Sequence, residues 1–344
     1  MTELIRDTFA NGNDELFLAL SASPSDGDFL AQANAVLQRY ASLADGLTPI
    51  FLRFHLSDVT TQAPLLRPLL VSKGLLDCAS IVGQCPLNGG KLALEAWLQC
   101  RQPLPNRWRF INCGTTPLQG SHAQTRQAFA ELERLAGGEV GEQVVRTWLY
   151  CRDIDNNYGG LVHGRIEYFN SIGLTAKTHY IASTGIEGKA ESPAQLVKMD
   201  ALQLIGRPLP AFEYLHAPEF LSPTHIYGVT FERGTCIRFE DRAHYFISGT
   251  ASIDKAGHIV HDGDVQAQTR RVLENITALL ESGGASFDDF HQAIVYLRDP
   301  ADQAAVLPIL EEAFADRCTW LLLQAPVCRP GWLVEIEGIA LKKI

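Results

Sequence analysis

The order of apolar stretches in the last third of the chain recurs twice upstream, and this internal repetition constrains the fold more than any other feature. The last third is predicted to form a strand, an amphipathic helix, a second strand, a second helix and two closing strands. In the first helix, DVQAQTRRVLENITALLESGG, apolar residues recur at helical spacing and glycines stand at the end. The other predicted elements are 244–252, 291–299, 302–314, 318–324 and 332–343.

The middle third repeats this order. WRFINCG precedes the helix HAQTRQAFAELERLAGG, the strand 144–153 follows, YGGLVHGRIEYFNSIG supplies the second helix, and THYIASTG and 195–206 close the unit. LYCRD stands where the last third has VYLRD. The first third is fainter but keeps the order, with ELFLALSAS, the helix DFLAQANAVLQRYASLADG, the strand 50–58, and then CASIVGQ and KLALEAWLQC. We therefore predict three diverged copies of one β-α-β-α-β-β unit.

The predicted units divide the chain into residues 1–101, 102–206 and 207–344. Several prolines occur between about residues 208 and 243, where we expect a connecting hairpin or flap. The strands alternate apolar with mixed residues, which suits sheets that carry helices on one face only. The other face must be buried against something, and three sheets around a shared axis would bury it. The predicted fold class is α+β.

Composition and charge narrow the functional classes. Hydrophobic residues make up 46% of the 344 residues and charged residues 20%, as in globular proteins. The formal net charge of -10 argues against nucleic acid or an anionic membrane as the main partner. No apolar run approaches the ~20 residues that span a bilayer, and MTELIRDTFANGNDE lacks the features of a signal peptide. We expect a cytoplasmic protein.

The cysteines and histidines do not predict a metal site. The eight cysteines are scattered without a C-x-x-C motif, and His258, His261 and His291 show no ligand spacing. We interpret the cysteines as reduced thiols, mostly in the core. Cys328 lies in PVCRP between the closing strands, where a packed turn thiol is favoured over a nucleophile because no histidine is fixed beside it in sequence. We expect neither a metal nor a cofactor.

The third repeat resembles the RidA/YjgF superfamily over its whole length, and the chain most closely resembles the chorismatase branch. The resemblance lies in SGTASI (248–253), HDGDVQAQ (261–268), CRPGWLVEIEG (328–338), and Tyr158 with Arg165 in a Y-x6-R pattern. RidA proteins are homotrimers with sites between subunits, whereas chorismatases are fused versions. The resemblance therefore implies three RidA-like, chorismate-mutase-like units in an intramolecular pseudo-trimeric barrel. It also implies a monomer or weak dimer.

The resemblance implies roles for two residues of the third repeat. Arg317, before the penultimate strand, would bind a substrate carboxylate, and Glu335, on the last strand, would handle protons or water. The corresponding stretches of the other repeats lack this pair. In the middle repeat His179 or Thr178 replaces the arginine and Lys198 or Met199 the glutamate, while the first repeat has Asp77 near the arginine position and keeps only Glu95, which matches Glu337. One specialised site is therefore expected among three possible ones.

The strand pattern supports a role for Glu335. In LVEIEG, Val334 and Ile336 share one face of the strand, and Glu335 and Glu337 share the other, roughly 6–7 Å apart. If that face is enclosed, desolvation and mutual repulsion raise the pKa of one carboxyl and keep a neutral acid near pH 7. The alternative is a solvated strand face, or a salt bridge to Lys342 or an arginine.

Further candidates for substrate binding are Arg165, Tyr158, Arg233, Glu337 and Thr250, with Arg329 in addition. Arginines form bidentate pairs with carboxylates, and chorismate carries two carboxylates. Arg165 and Tyr158 could alternatively lie on an ordinary amphipathic helix, and Arg317 could be a surface residue after a helix.

Three functions remain open, each with a small carboxylated metabolite as partner. The first is an enzyme that protonates the enol ether of chorismate and releases pyruvate, leaving a hydroxybenzoate or a dihydroxycyclohexadiene carboxylate. The second is a RidA-like deaminase of 2-imino or enamine acids, in which Glu335 would orient water and Arg317 would bind the carboxylate. The third is a non-catalytic metabolite-binding protein. Ribonuclease activity fits poorly with the acidic charge and the absence of aromatic–basic stripes.

Overall fold

The computed structural model describes residues 3–9, 14–44, 46–100, 106–114 and 118–344. They form three separate sheets with helices packed on their outer faces. The fold is α+β, as predicted, and each third of the chain contributes one sheet. The predicted boundary between residues 101 and 102 falls outside the described residues.

Sheet 1 comes from the first third of the chain. Its elements are β1 (Leu4–Asp7), β2 (Glu15–Ser21), α1 (Phe29–Leu43), β3 (Leu47–Leu56), α2 (Val59–Ser72), β4 (Ala79–Gly83), β5 (Cys85–Pro86) and β6 (Leu92–Cys100). The strand order is β1-β2-β6-β3-β4, and only the β3–β4 pair is parallel among these described strands. Strand β5 leaves this sheet and pairs with the third one.

Sheet 2 comes from the middle third, with the strand order β7-β10-β8-β9. Its elements are β7 (Asn106–Cys113), α3 (Gly120–Ala136), α4 (Val140–Gln143), β8 (Val144–Cys151), α5 (Ile154–Ser171), β9 (Ala182–Glu187) and β10 (Val197–Gly206). Every residue of β8 is buried, because helices cover one face and the other two sheets cover the opposite face.

Sheet 3 comes from the last third and is the largest. Its elements are β11 (Phe212–Tyr214), β12 (Gly234–Arg238), β13 (Arg242–Ala251), α6 (Val265–Ser282), β14 (Phe290–Leu297), α7 (Gln303–Phe314), β15 (Thr319–Gln324) and β16 (Val334–Lys343). The order is β11-β12-β13-β16-β14-β15-β5. Helix α6 begins where the Asp264 side chain accepts a hydrogen bond from the backbone N–H of Ala267, as an N-cap residue does.

The sheets meet at their edges without forming one barrel. Across the described residues, sheet 2 meets its neighbours at the isolated bridges Gly83–Lys189, Ala182–Glu232 and Ile186–Val327, and the short β5–β15 ladder joins the first third of the chain to sheet 3. The edge strands β4 and β9 are only five and six residues long, so each ladder ends before the next sheet begins. The expected barrel is therefore a pseudo-trimeric arrangement of three sheets, not a closed hydrogen-bonded cylinder.

The inner core is shared by all three sheets. Its aromatic residues include Trp97 from sheet 1, Trp148 and Tyr150 from sheet 2, and Phe246 and Tyr296 from sheet 3. Two smaller apolar clusters lie between sheets 1 and 2 and their own helices. The inner faces, which must be buried in any case, therefore bring side chains from distant parts of the chain together.

Candidate active site

Equivalent carboxylates from the three sheets face the shared core. In each sheet one acidic residue on the closing strand lies opposite the same position of a central strand. The opposed pairs are Arg53–Glu95, Trp148–Asp200 and Ile294–Glu337. This register agrees with the expected match of Glu95 to Glu337, and it adds Asp200, which the sequence reading did not select. It also places Lys198 at the position of Glu335.

Sheets 1 and 2 use their acidic residues in ion pairs. Arg53 contacts Glu95 at 2.6 Å and Asp200 at 3.4 Å, and Lys198 contacts Asp200 at 2.8 Å. Burial alone would raise the pKa of Asp200, but Lys198 and Arg53 outweigh it and the pKa is lowered. This part of the core is therefore charge-compensated and has no acid available for chemistry.

Glu337 is also held in a fixed state by its neighbours. It accepts hydrogen bonds from Tyr296 at 2.7 Å and from the indole N–H of Trp148 at 3.1 Å. Arg146 and Thr184 donate to its other oxygen. Such a set of donors satisfies an ionised carboxylate. Glu337 is thus bound by core side chains, and it does not line the cavity as a substrate-binding residue would.

Glu335 differs from the other core carboxylates. It is buried and takes part in none of the ion pairs found among the described residues. Burial raises the pKa of Glu335 to about 8, and repulsion by Glu337 adds to this effect. Three cations, Arg53, Arg146 and Lys198, already match the three other carboxylates. Glu335 is consequently a neutral carboxylic acid near pH 7.

Space for the Glu335 carboxyl is provided by a glycine. A Cβ atom on Gly249 would lie 2.3 Å from Oε1 of Glu335. The backbone N–H of Gly249 donates to Thr184 Oγ1 at 2.8 Å, which fixes the strand at this point. Because Gly249 in the SGTAS stretch has no side chain, the Glu335 carboxyl can reach the cavity.

A cavity of about 30 Å³ adjoins Glu335 between sheets 2 and 3. It is lined by α5 and β9 of sheet 2, by the segment before β12, and by β13, β16 and the loop before β16 in sheet 3. The lining includes Tyr158 and Arg165, Phe231 and Arg233, and Cys328, Trp332 and Glu335. Of the predicted site residues, the fold thus brings Glu335, Arg165, Tyr158 and Arg233 together.

The cavity wall is strongly basic. Arg165 is buried, its Nε donates to Thr230 Oγ1 at 3.2 Å, and its Nη2 is buried with no hydrogen-bond partner in the described part of the chain. Arg233 is buried beside it and donates to the Ser222 carbonyl at 2.9 Å. Phe231 lies against both guanidinium groups, with 5.8 and 5.4 Å between ring centroid and Cζ. A buried guanidinium nitrogen without a hydrogen-bond partner is costly, so Arg165 favours an anionic ligand in this cavity.

Two predicted residues lie elsewhere. Arg317 follows α7 on the outer surface, with 43% of its side chain exposed, and contacts Asp288 at 2.7 Å. It stands on the turn between α7 and β15 and is not among the residues that line the cavity beside Glu335. Thr250 is buried, but its hydroxyl donates to the Ser248 carbonyl at 2.9 Å and it does not line the cavity.

Cys328 lines the cavity as a half-buried thiol. Burial, together with the nearby Glu335, raises the pKa of Cys328 to about 12. A thiol that stays protonated at neutral pH is a poor nucleophile, in line with its interpretation as a packed turn residue.

The described residues hold no group of three His, Cys, Asp or Glu side chains arranged for a metal ion. In the same part of the chain, no helix is long and apolar enough to cross a membrane.

Comparisons with known proteins agree with this fold. Residues 239–342 match the family model described as Endoribonuclease L-PSP. A 3-hydroxybenzoate synthase of Streptomyces hygroscopicus is 28% identical over 264 residues, which cover 67% of this chain and 74% of that protein. A chorismatase crystal structure superposes with a TM-score of 0.61 at 22% identity, over 85% of this chain and 93% of that one. The chain is therefore similar to a chorismatase in fold over most of its length, and residues 239–342 are similar to the Endoribonuclease L-PSP family.

Proposed function

We propose that this protein is an enzyme that acts on chorismate and releases pyruvate by acid-catalysed protonation of the enol ether. The observation that carries the proposal is the buried, neutral acid Glu335 beside a cavity with buried arginines. Two relatives support it, since one is named a chorismatase and the other a 3-hydroxybenzoate synthase.

The reaction needs a proton donor that is protonated near neutral pH. Because the pKa of Glu335 is about 8, most of the population carries the proton at pH 7. Glu335 would transfer this proton to the methylene carbon of the enolpyruvyl group, which leaves an oxocarbenium ion. Water would add to that ion and return a proton to Glu335. The resulting hemiketal would then break its bond to the ring oxygen, which releases pyruvate and a ring diol.

A hydroxybenzoate product requires one further step from the same diol. Loss of one water molecule aromatises the ring, so that hydroxybenzoate plus pyruvate together contain the atoms of chorismate. The positive charge of Arg165 and Arg233 would bind the substrate carboxylates. The substrate carboxylates would in turn offset the positive charge of these arginines, which would otherwise disfavour the oxocarbenium ion.

A volume of about 30 Å³ holds a water molecule and not a ring with two carboxylates. Substrate entry therefore requires part of the wall to move. Val229 and Phe231 belong to the segment between the turn Thr224–Tyr227 and β12, which has few backbone pairings of its own. We propose that this segment opens for substrate and closes for chemistry, which would exclude bulk water from the oxocarbenium ion.

The RidA-like deaminase is the second candidate, since residues 239–342 match that family. It would use Glu335 to orient water and Arg317 to bind the carboxylate of an imino acid. The exposed position of Arg317 and its ion pair with Asp288 favour the chorismate reaction instead. A non-catalytic binding protein would have no need for a neutral acid in a basic cavity.

The test is to mix the purified protein with chorismate and follow pyruvate through lactate dehydrogenase and NADH. We expect turnover in the wild type and a fall in kcat of about 10²–10⁴-fold in Glu335→Gln, because general acids contribute factors of that size. Glu219→Gln, at an exposed position, is the matched control and should keep wild-type activity. Chromatography of the ring product then separates hydroxybenzoate from diol.

Folded wild-type protein that releases no pyruvate from chorismate would contradict the proposal. If the same protein then hydrolysed 2-iminopropionate faster than buffer does, the deaminase function would replace it. If Glu335→Gln retained full chorismate turnover, the role of the acid would be wrong even though the substrate was right.

A further inference from the structure

A second and larger cavity lies at the opposite end of the inner strands. Its volume is about 560 Å³, within the range of small-molecule sites. Strand β13 reaches both cavities, since His244 lines the large one and Gly249 the small one. Five residues of extended chain separate these two positions by roughly 17 Å. The large cavity is therefore a separate compartment from the one beside Glu335.

The walls of the large cavity are apolar and include flat rings. Trp108 and Phe239 face each other edge to face, with centroids 6.1 Å apart and an interplanar angle of 78°. The segment 208–210, Pro-Leu-Pro, completes the apolar lining. The His244 ring packs against Trp108 at 5.4 Å. Such surfaces favour a planar ring, which can stack or meet an edge.

The polar floor of the cavity is a buried cluster around Glu15. The Glu15 carboxylate accepts hydrogen bonds from Arg242 at 2.7 Å, from His244 Nε2 at 2.9 Å and from Trp97 Nε1 at 2.9 Å. Burial alone would raise the pKa of Glu15, but the contacts with His244 and Arg242 outweigh burial and lower it. Glu15 is therefore ionised. Nε2 of His244 must therefore carry the hydrogen that it shares with Glu15.

The other ring nitrogen of His244 is unused. His244 is 1% exposed, and its Nδ1 has no hydrogen-bond partner among the described residues. An imidazole that donates through Nε2 and carries no hydrogen at Nδ1 has a lone pair there and can accept a hydrogen bond. An unmet buried acceptor beside an open cavity points to a ligand that brings a donor.

The charges around the cavity disfavour an anion. The two arginines that line it already pair with carboxylates, Arg238 with Glu213 at 2.9 Å and Arg242 with Glu15 at 2.7 Å. Glu240 and Asp241 add further negative charge at the rim. A dicarboxylate of the kind proposed for the first cavity would be repelled by these acids, and both arginines that line the large cavity are already paired with carboxylates.

We propose that this cavity is a second ligand site, for a small aromatic molecule that bears a hydroxyl or amino donor and no negative charge. The ring packs against the exposed faces and edges of Trp108 and Phe239 that line the cavity, and the donor is shared with Nδ1 of His244. The site goes beyond the proposed reaction and does not depend on it.

The test uses three naphthalene probes in calorimetric titrations of the full chain at pH 7.5. The probes are 2-naphthol, which has a donor, 2-methoxynaphthalene, which lacks it, and 2-naphthoate, which is an anion. We expect one molecule of 2-naphthol per chain, binding at least tenfold tighter than the methoxy compound, and no saturable binding of the naphthoate. In His244→Phe the preference for naphthol over the methoxy compound should vanish, because the acceptor is gone.

A variant that fills the cavity tests the site independently, in case the His244 variant misfolds. Leu209→Trp, at the half-buried mouth, should abolish 2-naphthol binding, whereas Val71→Trp on the exposed face of α2 should not change it. Glu335→Gln should also leave binding unchanged, since it lies in the other cavity. The proposal is overturned if 2-naphthol does not saturate, if it still binds Leu209→Trp, if it is lost in Glu335→Gln, or if 2-naphthoate binds as tightly.

Discussion

At the scale of single residues, the environment of Glu335 sets its protonation state. The other core acids, Glu95, Asp200 and Glu337, each face a cation at short range, whereas Glu335 faces Glu337. Desolvation disfavours the charged form of Glu335 and, with the repulsion from Glu337, outweighs the opposing charges of Arg146 and Arg233. Ionisation of such an acid at high pH lowers the free energy of unfolding. The pH dependence of stability therefore reports on the protonation state that the proposed chemistry needs.

The stability of the protein should depend on pH through Glu335. Its pKa is about 8 in the folded chain against an ordinary value of 4.5, so its stabilising contribution is fully present below pH 4.5 and is lost as pH rises toward 8. Glutamine cannot ionise, so we expect the Tm of Glu335→Gln to rise relative to wild type between pH 5 and pH 8.5. Thermal unfolding by circular dichroism measures this. A Tm difference that stays constant over the range would show that the pKa is not raised, and Glu219→Gln controls for surface charge.

Gly249 should be required for the position of the acid. Because a Cβ at this residue would lie 2.3 Å from Glu335 Oε1, Gly249→Ala must displace the carboxyl. We expect kcat for chorismate to fall about 10²-fold, a factor that misplacement by about 1 Å can cause, and stability to fall by about 1–3 kcal/mol. Gly114→Ala is the control, since nothing lies within 4 Å of the added methyl group there. Full activity in Gly249→Ala would contradict the assigned geometry.

At the scale of elements, the segment before β12 controls access to the small cavity. It places Val229, Phe231 and Arg233 over a site that is otherwise built from α5 and the closing strands of sheet 3. The segment takes part in the fold chiefly through single contacts, such as Thr224 Oγ1 to the Phe231 carbonyl at 2.6 Å. Elements with few pairings open at low free-energy cost.

Removal of the Phe231 ring should expose the cavity. Cys328 lines the same space, so its alkylation by iodoacetamide reports opening. We expect Phe231→Ala to raise the rate of Cys328 labelling at least tenfold, because solvent access increases and the thiol pKa falls toward its ordinary value. Peptide-level mass spectrometry measures the labelling rate of Cys328, and Cys85 at the β5–β15 contact serves as the internal control. An unchanged Cys328 rate would mean that this ring does not close the cavity.

At the scale of the whole molecule, buried ion pairs connect the sheets. Arg53 of sheet 1 reaches Asp200 of sheet 2, and Arg146 of sheet 2 reaches Glu337 of sheet 3. A buried pair adds little net stability compared with apolar packing, but the loss of one partner leaves an uncompensated charge. These pairs therefore specify how the three sheets meet more than they add to overall stability.

Asp200→Ala should be strongly destabilising because it leaves Arg53 and Lys198 buried without one of their acids. We expect a loss of about 3–5 kcal/mol in the free energy of unfolding, measured by urea denaturation. Glu191→Ala removes the acid of the exposed pair with Arg67 and should cost about 0–1 kcal/mol. Equal losses of unfolding free energy in the two variants would show that the buried ion pairs matter no more to stability than the exposed pair.

Much of this architecture could be predicted from local pattern. Alternation along LVEIEG places Glu335 and Glu337 on one strand face, and both are buried there. Helical spacing predicts α6, whose apolar residues lie against sheet 3. The role of Asp200 could have been found in the same way, by aligning the closing strands of the three repeats. The location of Arg317 could not, because a residue in a turn carries no periodic signal for the direction of its side chain.

The sequence by itself determined that the chain has three related units, that each has one closing strand with acidic residues, and that one unit keeps a Glu-x-Glu pair. Only the tertiary structure decided that Arg165 and Arg233 meet Glu335 while Arg317 points to solvent. The physical reason is that periodicity reports which face of an element is buried, through contacts within a few residues. The partners across a buried face come from elements that are distant in sequence, and they are selected by packing and charge compensation in the assembled molecule.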